Sequence, residues 1–195
     1  MEIRFKPWIG KNYQSGGIFG KRILVLGESH YCDDSEGTDF TTAVVNDYLN
    51  PEVERDKWMN TFLKFERSLV NHITDTEESK KIWDSIAFYN YLQFPMDGAR
   101  QAGTKRQYSD SIGPFFEVLN DLRPELLIVW GSRLWNNLPN EGWVGGKEIE
   151  IDGYSIMNGA YKLNDGSLVR TICVYHPSVG YSWDYWYRAI QSVLE

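Results

Sequence analysis

Cysteine is scarce in this chain. Its 195 residues include two, Cys32 and Cys173. Neither belongs to a CxxC pair, so neither a zinc ribbon nor a cysteine-held iron–sulfur cluster can be assembled within it. Two buried thiols are expected rather than a disulfide, and no metal or cofactor is expected. Long apolar runs are also missing. None approaches the ~20 residues that span a bilayer, so no membrane partner is expected. The first ten residues, MEIRFKPWIG, lack the apolar h-region of a signal peptide, which points to the cytoplasm. Positive charge is in deficit: 20 Lys and Arg face 27 Asp and Glu, a net charge of −7. A protein that coats nucleic acid without specificity is basic, so that class starts at a disadvantage.

What is present describes a globular chain. Hydrophobic residues make up 42% and charged residues 24%, which excludes disorder and collagen-like repeats. The length suits one domain. Aromatics reach 15%, with eight Trp and twelve Tyr, enough for a large core and for rings lining a pocket.

Residues 22–26 (RILVL) form a short apolar run that stops at Gly27, the pattern of a buried strand entering a loop. The stretch 38–49 reads as a helix. A longer helix is expected over 51–73, with Pro51 in its first turn and Asn50 as cap. Trp58, Phe62, Phe65 and Leu69 would form its buried stripe. Residues 86–90 read as a second strand, followed by a polar loop over 94–108 that holds Arg100, Lys105 and Arg106. Ser109 or Asp110 would cap a helix running to about 122, stopped before Pro124. Residues 126–130 (LLIVW) form a third strand, which ends at Gly131 and leads into a short helix over 132–138. Residues 148–157 alternate like a strand with a turn at Asp152-Gly153, and Asn164-Asp165-Gly166 is a strong turn signal. Residues 168–175 make the next strand, which stops at His176-Pro177. An amphipathic helix over 183–194 closes the chain. Strands alternating with helices predict an α/β fold: a three-layer α/β/α sandwich around a mostly parallel sheet of about four or five strands.

In such folds ligands bind beyond the carboxyl ends of the strands. Those ends carry Gly27-Glu28-Ser29-His30-Tyr31, Asn90, Gly131-Ser132-Arg133 and His176-Pro177-Ser178. A carboxylate at Glu28 can orient or deprotonate a water, or it can cap a neighbouring helix end or pair with a surface lysine. Asn90, at the end of an apolar strand, offers one acceptor and two donors that can read the edge of a base, or it can tie two loops together. His176 can donate to an oxygen that gains negative charge, or it can be a turn histidine. His72 reads as a histidine at a helix end without a catalytic role.

As an ordered set, GES at Gly27, the strand with Asn90, RPELLIVWG over 123–131 and HPS at His176 resemble the uracil-DNA glycosylase superfamily. The resemblance runs from Arg22 to the last helix. It implies that Glu28 holds the attacking water, Asn90 binds the flipped base and His176 stabilises the departing base. It implies Phe40 as the ring that stacks on the base, with His30 and Tyr31 beside it. It implies Ser29 and Ser178 as nucleic-acid or phosphate contacts, with Tyr181 inserted into the DNA. Separately from the resemblance, Arg100, Lys105, Arg106 and Arg133 lie in loops that should face the site. Arg133, at a helix start beside Gly131, is there a phosphate-contact candidate, or all four are solvated loop charges. The chain has Ser29-His30-Tyr31 where the family's first motif carries a proline. His30 then either reads an unusual base substituent or excludes uracil.

The expected function is a DNA glycosylase-like hydrolase acting on uracil or another modified base, with single- or double-stranded DNA or a nucleotide as partner, working as a monomer. A second reading is a catalytically silent member that binds a nucleotide, nucleic acid or protein. A third is an unrelated hydrolase, since GESH also resembles the start of erythromycin-esterase-like proteins, but it leaves Asn90 and His176 without a role.

Overall fold

The computed structural model describes residues 2–33, 37–98, 101–178 and 180–194. Its strands are β1 (Trp8–Ile9), β2 (Ile23–Gly27), β3 (His30–Tyr31), β4 (Ile86–Asn90), β5 (Pro95–Met96), β6 (Leu126–Trp130), β7 (Trp143–Gly145), β8 (Glu150–Ile151), β9 (Tyr154–Ser155), β10 (Asn158–Lys162) and β11 (Leu168–Val174). Its α-helices are α1 (Phe40–Leu49), α2 (Met59–Val70), α3 (Thr76–Trp83), α4 (Lys105–Asp110), α5 (Ile112–Leu122), α6 (Ser132–Trp135) and α7 (Trp183–Leu194).

One sheet runs in the order β1-β4-β2-β6-β11-β10-β7. Its centre, β4-β2-β6-β11, is parallel. β1, β10 and β7 join antiparallel. Strands β2, β4 and β6 are buried at every position, which is why their sequences are continuous apolar runs rather than alternating ones. Successive side chains point to opposite faces. Ile23, Val25, Ile86, Phe88 and Ile128 share one core with residues of α1, α2, α3 and α7. Leu24, Leu26, Ala87, Tyr89 and Leu127 share the other with α4, α5 and α6. Helices thus cover both faces, as the alternation of elements predicts.

The sheet is wider than the expected four or five strands. That number fits only its parallel centre. β1 is not apparent in the sequence, because two residues are too short to show a period. β10 is masked by Gly159, where the strand backbone meets an indole: a β-carbon there would stand 2.2 Å from Trp143 Cζ2. Helix α2 begins at Met59, not at Pro51. Asn50 instead accepts from the amide of Glu52 at 3.0 Å, closing a turn. Phe62, Phe65 and Leu69 do form its buried stripe. The cap after the polar loop is Thr104, in a capping box with Gln107, and not Ser109 or Asp110. The α6 helix stops at Trp135, short of 138.

Helix α3 is an element the apolar pattern did not suggest. Its signals are polar: Asp75 accepts from the Glu78 amide at 2.9 Å, Glu77 and Glu78 occupy the first turn, and Lys80 and Lys81 the last. The fully buried Glu66 joins α3 to α1 and α2, accepting from Tyr48, Thr74, Ser79 and Trp83. Neither cysteine is in a disulfide; Cys173 is buried as expected, whereas Cys32 is only half-buried. No helix among the described residues is long and apolar enough to cross a membrane.

Candidate functional site

Because β4, β2, β6 and β11 are parallel neighbours, their carboxyl ends open onto the same edge of the sheet. The loops that follow them enclose a cavity of about 570 Å³, within the usual size range of small-molecule sites. Glu28, Asn90 and His176 all line it. Aromatic side chains of Phe40, Trp58, Phe62 and Trp130 form much of the remaining wall.

Asn90 is buried against Gly27. A β-carbon at Gly27 would stand 2.2 Å from Asn90 Oδ1, so the close approach of strand and amide requires glycine. The Asn90 Nδ2 lies 3.1 Å from both ring nitrogens of His30. His30 is 4% exposed, and its Nε2 lies 2.8 Å from Thr41 Oγ1. Phe5 and Phe40 meet the ring edge to face at 5.1 and 5.0 Å. Burial pushes the His30 pKa down to about 4, so the ring is neutral near pH 7. A neutral ring can accept from Asn90 through one nitrogen and donate to Thr41 through the other.

Glu28 sits at the mouth of the cavity. Its carboxylate accepts from Arg133 Nε at 2.8 and 2.9 Å, from Arg133 Nη2, and from the Tyr108 hydroxyl. The bonds to Glu28 hold the Arg133 pKa above its ordinary value. Burial and the bonded carboxylate raise that of Tyr108. Arg133, expected as a phosphate contact, is therefore engaged with Glu28. Tyr108 carries no motif in the sequence; an aromatic residue inside an otherwise polar stretch was its one signal.

His176 follows β11. Its Nδ1 lies 2.9 Å from Ser178 Oγ and accepts from the Ser178 amide at 3.3 Å. An amide can only donate, so the neutral imidazole carries its proton on Nε2. His176 is exposed at the rim, yet the protein packed beside its ring displaces enough water to lower its pKa; Glu28 opposes that shift and Arg133 adds to it. The indole of Trp130 stands edge-on to the ring at 6.0 Å. Trp130 Nε1 and Ser29 Oγ, both on the cavity wall, are buried without a hydrogen-bond partner. Such groups are costly to leave unpaired in water's absence.

Tyr31, on the wall, is half exposed at 49%, and Ser178 lies at the rim. Tyr181 is the clear correction. Far from projecting toward a ligand, it is buried, stacks on Trp186 and bonds Ser68 at 2.7 Å. Its ring belongs to the core between α2 and α7. Lys105 and Arg106 do not line the cavity, and Arg106 pairs with Asp110 at 3.5 Å. Arg100 lies outside the described residues. His72 sits past the end of α2 and bonds Glu78 at 2.6 Å, remote from the cavity lining. Among the described residues, no group of three His, Cys, Asp or Glu side chains is placed to hold a metal.

Fold and site together define an α/β protein with a cavity of aromatic and polar lining at the carboxyl edge of the sheet's parallel centre. No protein-family model and no curated protein matches the chain.

Proposed function

We propose that the cavity receives a nucleobase turned out of a nucleic acid, or carried by a nucleotide, and that the protein hydrolyses the N-glycosidic bond in the manner of the uracil-DNA glycosylase superfamily. One observation carries this reading. Glu28, Asn90 and His176, the three residues that the resemblance singles out, are 62 to 148 positions apart and line a single cavity.

The chemistry of each residue supports the reading. Asn90 presents a carboxamide to the edge of a base, and Phe40 offers it a ring. In the reaction the oxygen of a water bonds to the sugar's anomeric carbon and the carbon–nitrogen bond breaks. The electron pair leaves with the base, and the water's proton passes by way of Glu28 to solvent. The sugar becomes cationic and the base anionic on the way. A carboxylate at Glu28 and a donor at His176 Nε2 match that charge pattern.

A direct assay tests the proposal. Single- and double-stranded oligonucleotides carrying uracil, hypoxanthine or a hydroxymethylated base are incubated with the protein and examined for abasic sites. Abasic product that disappears in Glu28→Ala and His176→Ala supports hydrolysis. The second reading, a silent binder, is favoured by the engagement of both Glu28 oxygens with Arg133 and Tyr108. It predicts tight binding that Glu28→Ala leaves unchanged, with no abasic product from any substrate.

A further inference from the structure

We propose that the Glu28–Arg133 ion pair is a latch, opened when a phosphate of the substrate takes Arg133 away from Glu28. The inference rests on the hydrolytic reading above. It adds that activity is confined to phosphorylated substrates, nucleotides or nucleic acids, and withheld from nucleosides.

The starting observation is that both oxygens of Glu28 are engaged by other side chains. A carboxylate offers about four acceptor sites on its two oxygens. Oε1 accepts from Tyr108 and Arg133 Nε, while Oε2 accepts from Arg133 Nε and Nη2. The single Arg133 Nε hydrogen is shared between the two oxygens, so three donor hydrogens from Arg133 and Tyr108 hold both oxygens of the carboxylate and crowd out a water. The residue best placed to activate a nucleophile is therefore occupied in the ligand-free protein.

The two partners differ in access. The Arg133 side chain is 42% exposed and that of Glu28 10%. An anion arriving from solvent meets the guanidinium first. Space for it exists: a second cavity of about 370 Å³ lies against Arg133, Ser132 and Ser178, and shares Glu28, Trp130 and His176 with the main one. A guanidinium binds phosphate through the same two-pronged geometry it uses for a carboxylate. Exchange of one anion for the other costs Arg133 little. It leaves Glu28 with Tyr108 alone, and acceptor sites become open to water beside the base cavity.

A phosphate on Arg133 and the carboxylate of Glu28 thus compete for one guanidinium, and this can be measured without turnover. Inorganic phosphate is titrated into the wild-type protein, Glu28→Gln and Arg133→Gln. Asp47→Asn removes another carboxylate from the cavity wall and reports the general effect of losing one negative charge. Glu28→Gln should bind phosphate roughly tenfold more tightly than Asp47→Asn, as expected for release of a close charge pair, and Arg133→Gln should bind none. Equal affinities in Glu28→Gln and Asp47→Asn would overturn the latch. A second arm compares a nucleoside, its monophosphate and an oligonucleotide carrying the same base. Wild-type protein should cleave the phosphorylated forms in preference. Arg133→Gln should bring the nucleotide-to-nucleoside ratio of kcat/KM close to one. Loss of nucleoside cleavage in Arg133→Gln would instead make Arg133 a support for Glu28 and sink the latch. If wild-type protein cleaves none of the three, the hydrolytic reading fails, and the phosphate titration still decides whether the two anions compete.

Discussion

The amide of Asn90 is wedged between Gly27 and His30: its Oδ1 lies where a Gly27 side chain would be, and its Nδ2 sits 3.1 Å from the imidazole nitrogens. The group read as contacting a base is thus held from two sides by residues of the neighbouring loop. Pre-organisation of this kind lowers the ordering cost of binding.

Gly27→Ala tests the first of those contacts. The added methyl group would meet Asn90 Oδ1 at 2.2 Å, and the amide must move. Overpacking of this sort costs about 1–3 kcal/mol. Chemical denaturation should show that loss, and binding of a base or nucleotide should weaken along with it. Unchanged stability together with unchanged binding would mean that the amide has room to shift.

His30 predicts a pH dependence of stability. Its folded pKa, about 4, lies below the ordinary imidazole value of 6.5. Between those two values the unfolded chain binds the proton and the folded one does not, so stability is lost as pH falls through that window and is fully present above it. The shift corresponds to about 3 kcal/mol as an upper figure. His176, also held below its ordinary value, acts in the same direction. Melting curves at pH 4.5 and 7 should differ more for the wild type than for His30→Gln. Equal differences in both would remove His30 as the cause.

Tyr181 bears on the DNA-facing surface. It bonds Ser68 and packs on Trp186 inside the core, so Tyr181→Phe should lose about 1 kcal/mol of stability, the worth of one hydrogen bond. Affinity for single- or double-stranded oligonucleotides should not change. A loss of oligonucleotide affinity without loss of stability would restore Tyr181 to a contact role.

The correction at Tyr181 shows where the sequence stops being informative. Continuous apolar runs at 22–26, 86–90 and 126–130 identify the central strands because burial on both faces leaves no room for polar residues. Once those strands are parallel, the residues that follow them must share an edge, so the meeting of Glu28, Asn90 and His176 was legible. Side-chain direction in the loops was not. The ring of Tyr181 turns inward and the guanidinium of Arg133 turns to Glu28, and each follows from contacts across the chain, with Ser68 and Glu28, 113 and 105 residues away. The contact of Tyr108 with Glu28 was illegible for the same reason, since the two residues are 80 positions apart. The antiparallel strands β1, β7 and β10 were missed because short or glycine-containing segments carry little periodic signal.

His176 and Ser178 separate the donor from its support. In the hydrolytic reading His176 Nε2 donates to the departing base, and removal of such a donor costs roughly 10²–10³ in kcat. His176→Ala should show that loss in single-turnover release of the base. Ser178→Ala removes the hydroxyl 2.9 Å from Nδ1 but keeps the backbone amide that donates to the same nitrogen. The tautomer therefore survives, and the loss should stay within about tenfold, the equivalent of one ordinary hydrogen bond. If Ser178→Ala is as damaging as His176→Ala, the hydroxyl does more than orient the ring, and direct contact with the substrate becomes its role. If neither substitution changes base release from a substrate that the wild type cleaves, His176 is not the donor, and the leaving base must be stabilised from another wall of the cavity.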